Sequence, residues 1–92
     1  MRFDWDDSKS EKLKRERGLS FDEAVVIFSD AAHVIVRRND DPEQSAAIGF
    51  AQGRLITLVY EDREDKDGEL TWLVTYWKAT KEEVKQYERA RR

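Results

Sequence analysis

The chain has 92 residues, 17 of them Lys or Arg and 20 Asp or Glu, for a formal charge of -3; at this length only about 60–65% of the unfolded surface is buried on folding, so a single domain spanning 1–92 with a small core is expected. The absence of cysteine excludes a disulfide framework, a thiolate metal site and a cysteine nucleophile. No apolar run approaches the ~20 residues of a membrane span and the start Met1-Arg2-Phe3-Asp4-Trp5 lacks a signal-peptide pattern, so no membrane contact and a cytoplasmic location are expected.

Phe3-Asp4-Trp5 alternates as a short strand does. Asp6, Asp7 and Ser8 then offer N-cap oxygens, and Ser8 with Glu11 has capping-box spacing, which predicts a helix to Arg17 ending at Gly18. Leu13 is its only large apolar residue, so this helix should lie on the surface. A second box, Ser20 with Glu23, leads into Phe21, Ala24, Val25 and Phe28, which share one helical face. From Ala32 to Val36 the period becomes that of a strand, and Arg37 to Ser45 reads as a polar loop carrying Asp40, Asp41, Pro42 and Glu43. Ala47–Ala51 and Arg54–Tyr60 read as strands joined by Gln52-Gly53, where glycine supplies the positive φ of a tight hairpin. A charged turn is expected over Glu61–Gly68, followed by a strand over Leu70–Trp77.

On that last strand, regular alternation puts Leu70, Trp72, Val74 and Tyr76 on one face and Thr71, Leu73, Thr75 and Trp77 on the other. Both faces are partly apolar, so each needs cover from helices or a partner chain. Thr80 with Glu83 forms a third capping box, opening a helix through Val84, Tyr87 and Ala90 that ends in Arg89, Arg91 and Arg92. The expected fold class is α+β: an antiparallel meander with two N-terminal helices and one C-terminal helix.

These residues carry a family likeness. Phe3-Asp4-Trp5-Asp6-x-x-Lys9, Gly18-Leu19-Ser20-Phe21-Asp22-Glu23-Ala24, Ile48-Gly49, Gly53-Arg54-Leu55, Val59-Tyr60-x-x-Arg63 and Lys78-Ala79-Thr80-x-x-Glu83-x-x-x-Tyr87-Glu88 together resemble the BrnT family over nearly the whole chain. The resemblance implies a RelE-like fold and a ribonuclease toxin of a bacterial toxin–antitoxin pair that cleaves RNA to inhibit translation. It also implies a ribbon-helix-helix antitoxin of the BrnA type as partner, with operator DNA contacted only through that antitoxin, and no cofactor or metal. The site residues it implies are Lys9, Arg54, Arg63 and Lys78, as cations lining one phosphate-binding cleft. Where the family has Asn, Lys and His before the glycine, this chain has Leu13, Glu16 and Arg17; where it has two arginines before Lys-Ala-Thr, this chain has Trp72 and Trp77. Those replacements motivate the alternative, a catalytically degenerate module that binds an antitoxin or regulatory partner.

The remaining residues weigh less. RNA cleavage through the 2′-hydroxyl needs a base, cations for the phosphorane charge and an acid or solvent for the leaving oxygen. His33, the only histidine, has no evident partner and reads as structural. Trp72 and Trp77 lie five apart, which puts them on opposite faces unless a bulge intervenes. Aligning Asp65, Asp67 and Gly68 with a calcium loop places Arg63 at the first ligand position and Val74 where a bidentate glutamate belongs, so that segment reads as a charged turn. The acidic balance is uneven: residues 9–17 carry five cations against two acids, and residues 85–92 four against one. Both terminal helices therefore present basic surface despite the overall charge.

Overall fold

Residues 2–40 and 43–91 are described in the computed structural model, residues 37–40 by their backbone alone. Four strands form the antiparallel meander: β2 (Val34–Asp40), β3 (Glu43–Ala51), β4 (Arg54–Asp65) and β5 (Gly68–Lys78). The short β1 (Phe3–Asp4) adds to β5 in parallel, with Thr71 N–H donating to the Arg2 carbonyl at 2.8 Å, so the sheet is mixed and ordered β1-β5-β4-β3-β2. Three helices complete the α+β fold: α1 (Asp7–Arg17), α2 (Phe21–Ala24) and α3 (Lys81–Ala90).

Local chemistry explains most of these boundaries. The N-cap of α1 is Asp6, whose carboxylate accepts the Lys9 N–H at 3.0 Å; the Ser8–Glu11 box expected there is not used, because the helix starts two residues earlier and both residues lie inside it. Only Ser10 and Leu13 of α1 are buried, as its thin apolar stripe requires. Reciprocal boxes form at Ser20–Glu23 and Thr80–Glu83. The helix expected through Phe28 instead tightens after Ala24 into a 3₁₀ turn over Val25–Ser29. Three consecutive β-branched residues, Val25 to Ile27, crowd a continued α-helix, and Asp30 caps the tighter turn. At the Gln52-Gly53 hairpin both residues have positive φ, 49° and 76°, the backbone of a type I′ turn.

Two segments expected as loops are strand. Backbone pairing continues through Arg37↔Ser45 and Asp40↔Glu43, and through Asp62↔Thr71 to Asp65↔Gly68. The Asp41-Pro42 tip of the first lies outside the described residues. Both segments are almost wholly polar in sequence, Arg37 to Asp40 and Glu61 to Asp65, so the apolar alternation that marks a half-buried strand is missing. Polar contacts hold the second hairpin. Arg2 forks onto Asp65 at 2.7 and 3.0 Å, also donates to the Gly68 carbonyl at 2.9 Å, and keeps the Asp65 carboxyl below its ordinary range.

The core lies between the sheet and the N-terminal helices. Phe21, Ala24, Ile27, Ala47 and Leu58 are fully buried there, with Leu13, Leu19, Leu73 and Tyr76 around them. Leu73 and Tyr76 share this face although alternation separates them. Val59 pairs with Thr75 and Tyr60 with Leu73, so Val74 is an extra, bulged residue that flips the parity of β5. This corrects the expected division of β5: Trp72, Thr75 and Trp77 lie together on the opposite face, beside Glu61, Val59 and Thr57. Part of that face is covered by α3. Its Tyr87 packs edge-to-face on Phe50 at 5.6 Å and donates its hydroxyl to Asp30 at 2.8 Å. Asp30 also accepts the Ala32 and Phe50 N–H groups at 2.9 and 3.1 Å, tying the 3₁₀ turn, β3 and α3 to one carboxylate.

Glu23 is a second junction. It accepts from Lys14 of α1 at 2.7 Å, from the Ser20 N–H at 3.0 Å and from Gln52 of the hairpin at 3.0 Å, and the Lys14 contact above all holds its carboxyl at about 2 instead of 4.5. A carboxyl depressed in the fold stabilises it above the unfolded pKa and loses that contribution as pH falls through the folded one. Glu23→Gln is therefore expected to lower Tm at neutral pH, and the gap to the unmodified protein should close between pH 4.5 and 2. Thermal melts across that range check this; a gap independent of pH overturns it.

Candidate functional site

The site forms where the end of β5 and the start of β4 meet the carbonyl end of α1. Gly18 ends that helix with φ 95° and donates its N–H to the Lys14 carbonyl at 3.0 Å. A side chain at Gly18 would be strained by its backbone conformation and would push aside the Arg54 guanidinium packed against it. Arg54 donates to the Arg17 carbonyl at 3.0 Å, a cation placed at the negative end of a helix. Arg17 in turn donates to the Tyr76 carbonyl on β5. The Tyr76 hydroxyl accepts the Leu19 N–H at 3.0 Å and donates to the Leu19 carbonyl at 2.7 Å, fastening the turn after α1 to the sheet.

Arg17, Arg54 and Lys78 line one cavity of about 740 Å³. Arg54 and Lys78 stand on the same sheet face, since Lys78 pairs with Ile56, two residues beyond Arg54. Trp77 and Val84 line the far wall, so the cavity wraps round the end of β5. The Trp77 indole N–H donates to Glu83 at 3.0 Å. Burial pushes the Glu83 carboxyl up, but bonds from the Thr80 backbone, Trp77, Thr57 and the Thr80 hydroxyl together hold it below its ordinary value. Thr57 Oγ1 is fully buried and makes no hydrogen bond of regular geometry, so its contact with Glu83 is a loose one. Among the described residues lining the cavity there are three cations and no carboxylate or imidazole. Such a lining is suited to an anion and to negative charge that grows on it.

Arg54 and Lys78 are thus brought together; Lys9 and Arg63 are not. Lys9 is exposed on the first turn of α1, about 12 Å along the axis from Arg17 at 1.5 Å per residue. Arg63 lies about 30 Å along β4 from Arg54 at 3.3 Å per residue. It donates to Glu61 at 3.0 Å, sits 4.6 Å over the Trp72 ring and lines a separate cavity of about 570 Å³ with Arg2, Leu70 and Thr71. His33 has its Nδ1 2.7 Å from the Asp30 carbonyl and its ring against Phe28, away from the cations. Arg17, in sequence only a departure from the family pattern, joins Arg54 and Lys78 in the cavity. Its signal was position: the last helical residue before a C-terminal glycine places a long cation at the junction of helix and sheet.

Among the described residues no helix is long and apolar enough to cross a membrane. The family model described as ribonuclease toxin, BrnT, of type II toxin-antitoxin system matches residues 5–83, a span that includes the three cations of the cleft and Trp72 and Trp77. No curated protein matches the chain.

Proposed function

The chain belongs to the BrnT family of ribonuclease toxins of type II toxin–antitoxin systems, and from that premise we propose that it cleaves RNA at the cleft of Arg17, Arg54 and Lys78. Family membership implies an antitoxin protein as partner. In this reading the antitoxin is of the ribbon-helix-helix type and carries the operator-DNA contact, the toxin acts in the cytoplasm, and the fold is RelE-like. The observation that carries the reading is the convergence of three cations on one cavity whose described lining residues include no acid to oppose an RNA phosphate.

The substrate supplies its own nucleophile. The ribose 2′-oxygen attacks the adjacent phosphorus and loses its proton, the bond from phosphorus to the 5′-oxygen breaks, and that oxygen takes up a proton. Arg17 and Arg54 retain guanidinium donors beyond those given to backbone carbonyls, and these grip the non-bridging oxygens as their charge rises. The Lys78 ammonium stands beside the leaving oxygen and delivers its proton, while water removes the one from the 2′-hydroxyl. Lys9 and Arg63, outside the cavity, contact the RNA backbone on either side.

Expression without an antitoxin is expected to arrest bacterial growth with fragmented RNA in extracts. Normal growth together with intact RNA sinks the catalytic reading. The degenerate-module alternative draws on Trp72 and Trp77 standing where the family has arginines, and it survives only in that second outcome.

A further inference from the structure

We propose that Trp72, layered with Arg63, and Trp77 form a two-point stacking platform for the unpaired bases of single-stranded RNA entering the cation cleft; the RNA ligand rests on the ribonuclease reading above.

The bulge at Val74 makes the platform. In a regular strand the two indoles face opposite sides, but with Val74 looped out Trp72 pairs with Glu61 and Trp77 with Thr57, two positions of one face on β4. Four residues separate those partners, so the two tryptophans stand about 13 Å apart at 3.3 Å per residue, a span crossed by a few extended nucleotides. Both indoles remain partly exposed beside the fully buried Val59 and Thr57.

The two ends differ in a way that gives the strand a direction. Trp77 is held in orientation by Glu83 and lines the cavity of Arg54 and Lys78, so a base stacked there brings its phosphate towards the cations. At the other end the Arg63 guanidinium sits 4.6 Å over the Trp72 ring, held by Glu61 on the neighbouring face position. Indole and guanidinium planes both accept a base, and the guanidinium keeps donors for a phosphate. Cations therefore flank the aromatic stretch at both ends, the combination that single-strand binders use: stacking for the bases and charge for the backbone. Stacking tolerates any base, so the preference created is for unpaired over duplex RNA rather than for a sequence.

Trp72 is the informative position, since Trp77 also belongs to the cleft wall. Binding is measured by fluorescence anisotropy with the full chain and a labelled single-stranded oligoribonucleotide whose 2′-hydroxyls are methylated to block cutting. Trp72→Ala should raise Kd about five- to a hundredfold, the range for losing one base–aromatic stack, while Trp72→Phe keeps most of the affinity. An abasic site in the probe should weaken binding to the original protein and add little to the defect of Trp72→Ala. Equal affinity of Trp72→Ala and the original protein overturns the platform, as does an abasic effect of the same size on both. So does loss of antitoxin binding with RNA affinity unchanged, which makes the surface a protein contact. Cutting of an unmethylated strand is read separately. Cleavage with no stacking effect removes the platform and leaves the ribonuclease, whereas stacking without cleavage keeps the platform and removes the catalysis.

Discussion

Lys78→Ala and Arg54→Ala are each expected to lower the rate of RNA cleavage by about 10²- to 10³-fold, the loss typical of removing one preorganised donor aimed at transition-state charge. The effect should fall on kcat with KM little changed, because the charge being stabilised grows only as the phosphorane forms. Lys78 is exposed, so its removal should leave the stability within about 0.5 kcal/mol of the original. Arg54→Ala also deletes the bond to the Arg17 carbonyl, a contact worth about 1 kcal/mol. Lys9→Ala and Arg63→Ala should behave differently, keeping kcat and flattening the salt dependence of binding by about 0.7 per lost phosphate contact on a single strand. Steady-state kinetics on one oligoribonucleotide across salt concentrations separates the two classes. Wild-type rates in folded Arg17→Ala, Arg54→Ala and Lys78→Ala place the chemistry elsewhere, and a kcat loss of the same size at Lys9 or Arg63 restores them to the centre.

How much of this was legible in the sequence depends on what each residue answers to. Ser20 with Glu23, Thr80 with Glu83, and Gln52-Gly53 act through bonds and dihedrals within a few residues, so their spacing alone placed two helix starts and one turn. The strand ends at Arg37–Asp40 and Glu61–Asp65 answer to a partner strand instead. Their polar sequence shows no apolar alternation, and the Arg2 fork that fixes the second joins residues 63 apart. The bulge at Val74 left no local mark either, because it resolves a conflict of packing: Leu73 and Tyr76 are both required in the core against Tyr60 and Leu58. The site divides the same way. Arg54 and Lys78 were marked by family resemblance and the fold brings them together. Arg17 had to wait for Gly18, Tyr76 and Arg54 to be seen in contact.

That contact points to the substitution with the largest expected effect on stability, Tyr76→Phe. The side chain is 2% exposed and Leu19 1%, so the Leu19 N–H and carbonyl have no access to water once the Tyr76 hydroxyl is gone. Leaving a buried polar group unpaired costs about 1–3 kcal/mol, which for this pair amounts to about 2–4 kcal/mol. At 4–8 °C per kcal/mol for a domain of this size, Tm should fall by about 8–32 °C. A domain of about 90 residues holds roughly 5–14 kcal/mol in all, so the variant folds at low temperature and its activity can be read there. Activity should fall as well, because Leu19 lines the cation cavity and follows Arg17 and Gly18 directly in the chain. Freeing that turn lets the Arg17 and Arg54 guanidiniums drift from their shared position. Calorimetric melts together with cleavage assays well below Tm make the check. A melt within about 3 °C of the original removes Tyr76 as the fastening of the turn; a large loss of Tm with unaltered kcat leaves it holding the fold but not the cleft.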